Sequence, residues 1–320
     1  VDTALWQIDE LAWWRREKHA GRICSVWASS MVHDLGRLTQ GIISYSYAEG
    51  FVTGRTNVGG LCAGNMSSSQ NSEHKGTIIH SYAKGTVTAE LDNAGGLCAG
   101  NGGNINDCYA TSAVAGQNRV GGLCAVNGGM LTDSHATGPV SGKDLVGGFC
   151  GENNGYGTII RCYASGQVKG HNKVGGLCGS GEVTTCHATG NVTGNNKVGG
   201  LCGQGAATQS FATGDVSGTE LVGGLCGVSY YITTSYASGR VKGEEDEIGG
   251  LSGRNEHEIT GSCAIGFVTG RFFVGGLCGK SKNDNPFISP LISHCYATGR
   301  VRGTGILAGL CGINYGTIGH

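Results

Sequence analysis

Cysteine is the residue of this chain with the clearest chemical potential, because it recurs inside one six-letter motif. The letters "VGGLCG" stand at residues 174–179, 198–203, 222–227 and 274–279 of the 320-residue sequence. Cysteines at a fixed spacing are typical of metal sites, redox centres or disulfide frameworks. Nine of the 15 cysteines occupy the "GGLC" slot: Cys62, Cys98, Cys124, Cys150, Cys178, Cys202, Cys226, Cys278 and Cys311.

The spacing of these cysteines does not match a metal site, since no C-x₂-C or H-x₃₋₅-H pair accompanies them. A second landmark, "CYA", holds Cys at only four positions, which are Cys108, Cys162, Cys186 and Cys295. Pairing each slot cysteine with one landmark cysteine in a disulfide would therefore leave several slot cysteines unpaired. We favour cysteine as a small apolar core residue. Disulfides within or between coils, or a column binding a soft metal, stay open as alternatives. We predict no metal site, no cofactor and no catalytic residue.

Aligning the chain on "GGLC" gives ten copies, with Ser252 in the slot that lacks cysteine. From the first residue of each preceding landmark, such as "CYASG" at 162–166, the slot lies 16 or 17 residues away. The remaining length variation falls after the slot, where the distance from the slot to the next landmark ranges from 8 to 19 residues. One rigid half and one variable half per unit indicate a solenoid with its loops on one side.

Alternation of small apolar and polar residues over 186–193 predicts a strand with Cys186 and Val192 on its inner face. "VGGLCG" predicts a second strand, whose glycine pair forms a bulge or corner that lets both Val174 and Leu177 point inward. A third short strand is predicted at Ile159. The predicted fold is all-β, a parallel β-solenoid (β-helix) of about ten coils with a short N-terminal helical cap.

The two ends of the chain differ from the repeats. Residues 2–20 predict an amphipathic helix that ends at Gly21, and the region holds Trp6, Trp13, Trp14 and Trp27. We expect residues 1–40 to be an N-terminal helical cap region and residues 41–320 to be the solenoid. "GINYGTIGH" at 312–320 matches the loop half of a coil, so we expect either a fragment or an edge that stacks on something.

Two outward columns are the candidate binding surfaces. The aromatic column contains Tyr47, Tyr82, Tyr109, His135, Tyr163, His187, Phe211, Tyr236 and Tyr296, with Cys263 interrupting it. The hydroxyl column contains Thr111, Thr137, Ser165, Thr189, Thr213, Ser238 and Thr298. Flanking them are Lys169, Arg240, Lys242, Arg300 and Arg302, and Pro139 interrupts the strand. We favour structural stacking. A protein- or glycan-binding surface and, more remotely, an ice-binding surface stay open.

The remaining motifs favour no chemistry. "GEEDEIGG" at 243–250 lacks the alternating oxygen ligands of a calcium loop and predicts a solvated turn. "HEITG" at 257–261 lacks the second histidine of a zinc protease. Few acids recur in register, so no carboxylate pair for cleaving polysaccharide can be placed. A formal net charge of −1 and the absence of a long apolar run predict no nucleic-acid partner and no membrane span.

"VGGLCG" preceded by "CYATG-x-V-x-G" resembles the GLUG repeat, and the resemblance covers about residues 41–320. GLUG repeats occur in bacterial and archaeal surface and adhesin-like proteins and beside IgA1-cleaving metallopeptidase domains. The resemblance implies an extracellular or cell-surface β-solenoid without catalytic residues in its repeats. We expect a non-enzymatic structural or adhesive protein that self-associates through its ends, with a host or neighbour-cell protein or glycan as a further partner. The alternative is an accessory binding module of a larger secreted enzyme such as a peptidase; an enzyme acting on polysaccharide at the solenoid face has the least support.

Overall fold

The computed structural model describes residues 41–66 and 75–319, and over these ranges the chain is a parallel β-solenoid. Each turn contributes to three sheets, and each strand pairs in parallel with its equivalent in the next turn. We number coils 1 to 10 by the residue in the "GGLC" slot, from Cys62 in coil 1 through Ser252 in coil 8 to Cys311 in coil 10. The predicted cap region 1–40, with its helix and all four tryptophans, lies outside the described residues. Within the described ranges, no helix is long and apolar enough to cross a membrane.

The valine sheet takes one strand from each coil, at the Val-Gly of the motif. Its strands are β3 (Val58–Gly59), β7 (Asp92–Gly95), β12 (Asn118–Gly121), β17 (Asp144–Gly147), β22 (Asn172–Gly175), β26 (Asn196–Gly199), β30 (Glu220–Gly223), β34 (Asp246–Gly249), β38 (Phe272–Gly275) and β43 (Leu307–Ala308). Ten stacked strands delimit about nine complete turns, close to the ten coils predicted.

The cysteine sheet holds the strands that begin at the cysteine slot and the predicted third strands. The former are β4 (Cys62–Asn65), β8 (Cys98–Asn101), β13 (Cys124–Asn127), β18 (Cys150–Asn153), β23 (Cys178–Thr184), β27 (Cys202–Thr208), β31 (Cys226–Thr233), β35 (Ser252–Thr260), β39 (Cys278–Ser281) and β44 (Cys311–Asn314). The latter are β1 (Ile42–Ser44), β5 (Thr77–Ile79), β9 (Asn104–Asn106), β14 (Met130–Thr132), β19 (Thr158–Ile160), β40 (Leu291–Ser293) and β45 (Thr317–Gly319). The strand predicted at Ile159 is thereby confirmed. In coils 5 to 8 the two strands merge because the intervening loop is short.

The aromatic sheet begins with two unbroken strands, β2 (Tyr47–Gly54) and β6 (Tyr82–Ala89). Later coils each contribute two short strands: β10 (Tyr109–Ala110) and β11 (Ala113–Ala115), β15 (His135–Ala136) and β16 (Val140–Ser141), β20 (Tyr163–Ala164) and β21 (Val168–Lys169), β24 (His187–Ala188) and β25 (Val192–Thr193), β28 (Phe211–Ala212) and β29 (Val216–Gly218), β32 (Tyr236–Ala237) and β33 (Val241–Gly243), β36 (Cys263–Ala264) and β37 (Val268–Thr269), β41 (Tyr296–Ala297) and β42 (Val301–Arg302).

The single strand predicted over 186–193 is wrong in one respect, because the chain bends between β24 and β25. At the bend, a Cβ on Gly190 would lie 2.0 Å from the carbonyl oxygen of Gly166, so successive backbones approach closely there. The predicted inward positions are correct, since Cys186 and Val192 are both buried. They belong, however, to two different cores, and the bend is what separates them.

The interior of the solenoid consists of two parallel hydrophobic columns. The larger contains the Leu and Cys of each motif, the landmark alanines and the isoleucines of the third strands. The smaller is lined almost entirely by valines, where Val192 of the aromatic sheet packs with Val198 of the valine sheet. Each fully buried aliphatic side chain contributes about 1.5–3 kcal/mol. Because one coil cannot cover these side chains alone, stacking supplies most of the stability.

The glycine pair of the motif forms the corner between the valine and cysteine sheets, as predicted. A Cβ on Gly199 would lie 2.0 Å from the carbonyl oxygen of Cys202, and one on Gly200 would lie 2.1 Å from that of Gly224. Val198 and Leu201, on either side of the pair, are both fully buried. Glycine is therefore required here by the close approach of backbone atoms within a coil and between coils.

Candidate functional surfaces

The cysteine slots form a stacked column inside the larger core. Adjacent slots are in register, as in Cys178 with Cys202, and from Cys98 to Cys226 these side chains are fully buried. In seven of the slots the thiol donates to the carbonyl oxygen two residues further on, and Cys98 Sγ lies 3.1 Å from the oxygen of Gly100. Ser252 Oγ makes the same bond to Arg254 at 2.8 Å. The burial of these slots in the larger core confirms the interpretation of the slot as a core position.

Burial also determines the reactivity of these thiols. Burial and the neighbouring thiols raise the pKa of Cys150 and of Cys278 well above the usual range. In the second cysteine column, burial raises the pKa of Cys108 to about 12. Since the thiolate is the reactive species, these cysteines are poor nucleophiles and poor targets for oxidation.

The landmark position that alternates between Ser and Cys forms a hydrogen-bonded ladder that sequence reasoning missed. The amide of Cys108 donates to Ser134 Oγ at 3.1 Å, and that of Cys186 donates to Ser210 Oγ at 3.0 Å. Both serine hydroxyls thus accept a bond from the preceding coil, and Ser81, Cys186, Ser235 and Ser262 do the same. The sequence sign of this ladder is the exchange of Ser and Cys at the first position of "SYA" and "CYA".

A buried asparagine ladder was also missed. Asn65, Asn101, Asn127 and Asn153 follow the cysteine slot by three residues in coils 1 to 4. The Nδ2 of each donates to Oδ1 of the next, at distances of 2.8, 2.8 and 2.7 Å. These bonds satisfy amides that would otherwise be buried at considerable cost, and they fix the register between coils.

The outward aromatic column is a continuous stack of eight rings from Tyr47 to Tyr236. Neighbouring ring centroids lie 4.6–5.2 Å apart, with planes within 9° of parallel. The rings therefore cover one another's faces and present their edges to solvent. Because sugars stack on ring faces, this arrangement supports the structural interpretation. Partial burial lowers the pKa of His135 and of His187 within the stack.

The hydroxyl column is exposed beside the stack but is not an uninterrupted array, because Ile265 occupies its slot in coil 9. Pro139 lies in the bend between β15 and β16, where its missing amide costs no sheet hydrogen bond. In other coils the amide at this position bonds a side chain, as Arg240 N does to Asp215 Oδ1 at 2.9 Å. The flanking Lys169, Arg240, Lys242, Arg300 and Arg302 are all exposed.

The acidic turn at 243–250 differs from the prediction at one residue. Glu244 and Glu245 are exposed, but the Glu247 side chain is only 8% exposed. Its carboxylate accepts from Arg254 Nε at 2.6 Å and Nη2 at 2.8 Å, and from Lys280 Nζ at 3.0 Å. The expectation of a fully solvated turn is therefore wrong at Glu247. This residue precedes the inward Ile248 and faces the cysteine sheet, whose strands β35 and β39 carry Arg254 and Lys280.

The first four residues of the "HEITG" segment, 257–260, belong to β35, where His257 stacks on Tyr231 with ring centroids 5.2 Å apart. In the part of the chain that the structure describes, no group of three or more His, Cys, Asp or Glu side chains is arranged to hold a metal ion. The absence of a metal, a cofactor and catalytic residues remains a prediction.

Comparison with protein-family models matches residues 144–169 to the GLUG motif. The match runs from β17 in the valine sheet, through Cys150, to β21 in the aromatic sheet, and so spans one repeat of the solenoid. The chain carries the GLUG motif that its sequence suggested, and the motif lies in a β-solenoid. The matched model describes a repeat and not a catalytic family. Searches of curated proteins and of solved structures found no match.

Proposed function

We propose that this GLUG-motif β-solenoid is a non-enzymatic structural and adhesive rod of the cell exterior, and that copies associate end to end. The observation that carries the proposal is that successive coils pair in parallel through all three sheets, a contact that coils of two copies can also make. In coil 10 the apolar positions of this contact are exposed. Leu307 is 42% exposed, whereas its register partner Val274 is fully buried. Ile318 is 47% exposed, whereas its partner Ile292 is 1% exposed.

An edge of this kind is a template for further strands. It presents apolar side chains beside backbone groups that are paired in every inner coil. Head-to-tail stacking of identical coils would extend the sheets without a new type of contact. Copies joined in this way form a filament.

Location outside the cell is supported by the GLUG resemblance and is compatible with the many cysteines. Thiols on an oxidising surface usually become disulfides. Burial and raised pKa values suppress the reactive thiolate at Cys108, Cys150 and Cys278, so these cysteines can keep their thiols there. Labelling of intact source cells with an antibody against the solenoid tests the location directly, and signal only after permeabilisation would contradict it.

Solution scattering and sedimentation of the purified protein over a wide concentration range test the association. Strands stack about 4.8 Å apart, so one copy should be a rod on the order of 50 Å long. Each added copy should lengthen an assembly by about the length of one rod. Leu307→Lys should abolish the lengthening. Met130→Lys, at a 46% exposed position on the side of the rod, is the matched control and should not. Short rods at every concentration, or equal effects of both variants, would contradict end-to-end association.

A further inference from the structure

Four exposed cations lie together on the outer face of the aromatic sheet near its C-terminal end. Arg240 and Lys242 flank the inward Val241 of β33 in coil 8, and Arg300 and Arg302 flank the inward Val301 of β42 in coil 10. Alternation along a strand therefore directs all four side chains outward. We call these four residues the cation patch.

The register fixes the dimensions of the cation patch. Lys242 pairs with Thr269, which pairs with Arg302, so two strand spacings of about 10 Å in total separate the two cations. The ladder bonds from Val241 N to Phe267 O and from Val268 N to Arg300 O, both 2.9 Å, place Arg240, Phe267 and Arg300 in the parallel column. Residues two apart in a strand lie about 7 Å apart. The cations thus occupy the corners of a rectangle, with Phe267 and Thr269 midway along its long sides.

The side chains of the cation patch are not engaged in ion pairs with other described residues. Among the described residues, none of the ion pairs involves any of these four side chains. The guanidinium carbon of Arg302 lies 5.8 Å from the centroid of the Phe267 ring, a contact that orients the guanidinium without neutralising it. In the same two columns, coils 2 to 6 carry neutral side chains apart from Lys169. The positive charge is therefore local.

We infer that the cation patch binds an acidic glycan, a linear polysaccharide with a carboxylate or sulfate on every second sugar. This inference rests on the adhesive role proposed above and assigns it a ligand class and a place. Arginine presents N–H groups in a fork that matches carboxylate and sulfate oxygens. An extended glycan advances by about one strand spacing per sugar, so acidic groups on alternate sugars align with coils 8 and 10. The intervening sugar then lies over Phe267 and Thr269 of coil 9.

The boundaries of the cation patch favour a glycan over a nucleic acid. Asp215 lies beside it in coil 7, and the acidic turn with Glu244 and Glu245 follows β33. Nucleic acids require a longer basic stripe because many phosphates must be neutralised together. The whole chain has a formal net charge of −1, which gives no long-range attraction for a polyanion of that density.

Calorimetric titration of the full chain with hyaluronan oligosaccharides, which carry a carboxylate on every second sugar, tests the inference. The carboxyl-reduced neutral oligosaccharide should not bind, and added salt should weaken binding of the acidic one. The double variant Arg240→Gln/Arg300→Gln should bind at least about tenfold more weakly, because two charge-assisted contacts are lost. Lys169→Gln, in coil 5 of the same sheet, is the matched control and should bind normally.

Three results would overturn the inference: no binding of the acidic oligosaccharide, equal loss with the Lys169 control, or tighter binding of oligothymidylate than of hyaluronan. The double variant Arg240→Lys/Arg300→Lys keeps the positive charge but removes the guanidinium fork. It should therefore lose less affinity for the oligosaccharide than the double glutamine variant. Assembly is measured on the purified protein without glycan, and location is measured on intact cells. Failure of glycan binding is therefore distinguishable from failure of the proposed rod function.

Discussion

At the scale of single residues, the cysteine slot shows how a residue known for its chemistry can serve packing alone. What the slot needs is a small side chain that fills the core, and in most coils that side chain also donates to the carbonyl two residues on. The Cys98 thiol and the Ser252 hydroxyl both do so. The single serine at this slot, Ser252, is therefore a reliable sign in the sequence that the column is structural.

The aromatic column gives a prediction that depends on pH. Partial burial lowers the pKa of His135 and of His187 below the ordinary value of 6.5. The unfolded chain therefore binds protons more readily than the folded one in this range. The stability contributed by the neutral rings is fully present above pH 6.5 and is lost as pH falls through the lowered pKa values. Unfolding midpoints should accordingly drop as the pH is lowered.

The double variant His135→Tyr/His187→Tyr should flatten this dependence in denaturant titrations at several pH values, since tyrosine already occupies most of the column. His171→Tyr, at an exposed position, is the control and should leave the dependence unchanged. An undiminished slope in the double variant would show that the acid sensitivity arises elsewhere.

At the scale of elements, the sequence predicted those features that repeat in every coil. The three strands, the glycine corner and the inward positions all follow from alternation and fixed spacing. The bend between β24 and β25 was not predictable from the sequence. Apolar and polar residues alternate in the same way whether the inward side chains share one core or belong to two. Glu247 was misassigned because its partners, Arg254 and Lys280, lie 7 and 33 residues away. No local pattern reports such a contact.

The glycine corner is a sharp test of how the sheets are joined. Gly200→Ala places a methyl group 2.1 Å from the backbone oxygen of Gly224, and no side chain can move to relieve the clash. We expect a loss of roughly 1–3 kcal/mol in the free energy of unfolding, measured by denaturant titration. Gly100→Ala, with no atom within 4 Å of the new methyl, should be nearly neutral. Similar losses for both variants would mean that the corner is not as closely packed as described.

At the scale of the whole molecule, the solenoid keeps its interior constant and varies its exterior. The cores and corners repeat from coil to coil, whereas the loops of the cysteine sheet differ in length. The aromatic sheet carries no long loops, and only its C-terminal coils concentrate positive charge. A rod built in this way can present different surfaces along its length without any change in how it folds.

The central claim, a rod filled by stacked thiols, is tested most directly by site-resolved alkylation across all coils. The protein is treated with iodoacetamide without reductant, once native and once unfolded, and the labelled cysteines are mapped by mass spectrometry. Cys263, on the outer face between Tyr236 and Tyr296, should react in the native protein and serves as the internal control. The buried column from Cys98 to Cys226 should resist labelling until the chain unfolds, and should then react completely. Native labelling of the column at the rate of Cys263, or a need for reductant after unfolding, would contradict the account.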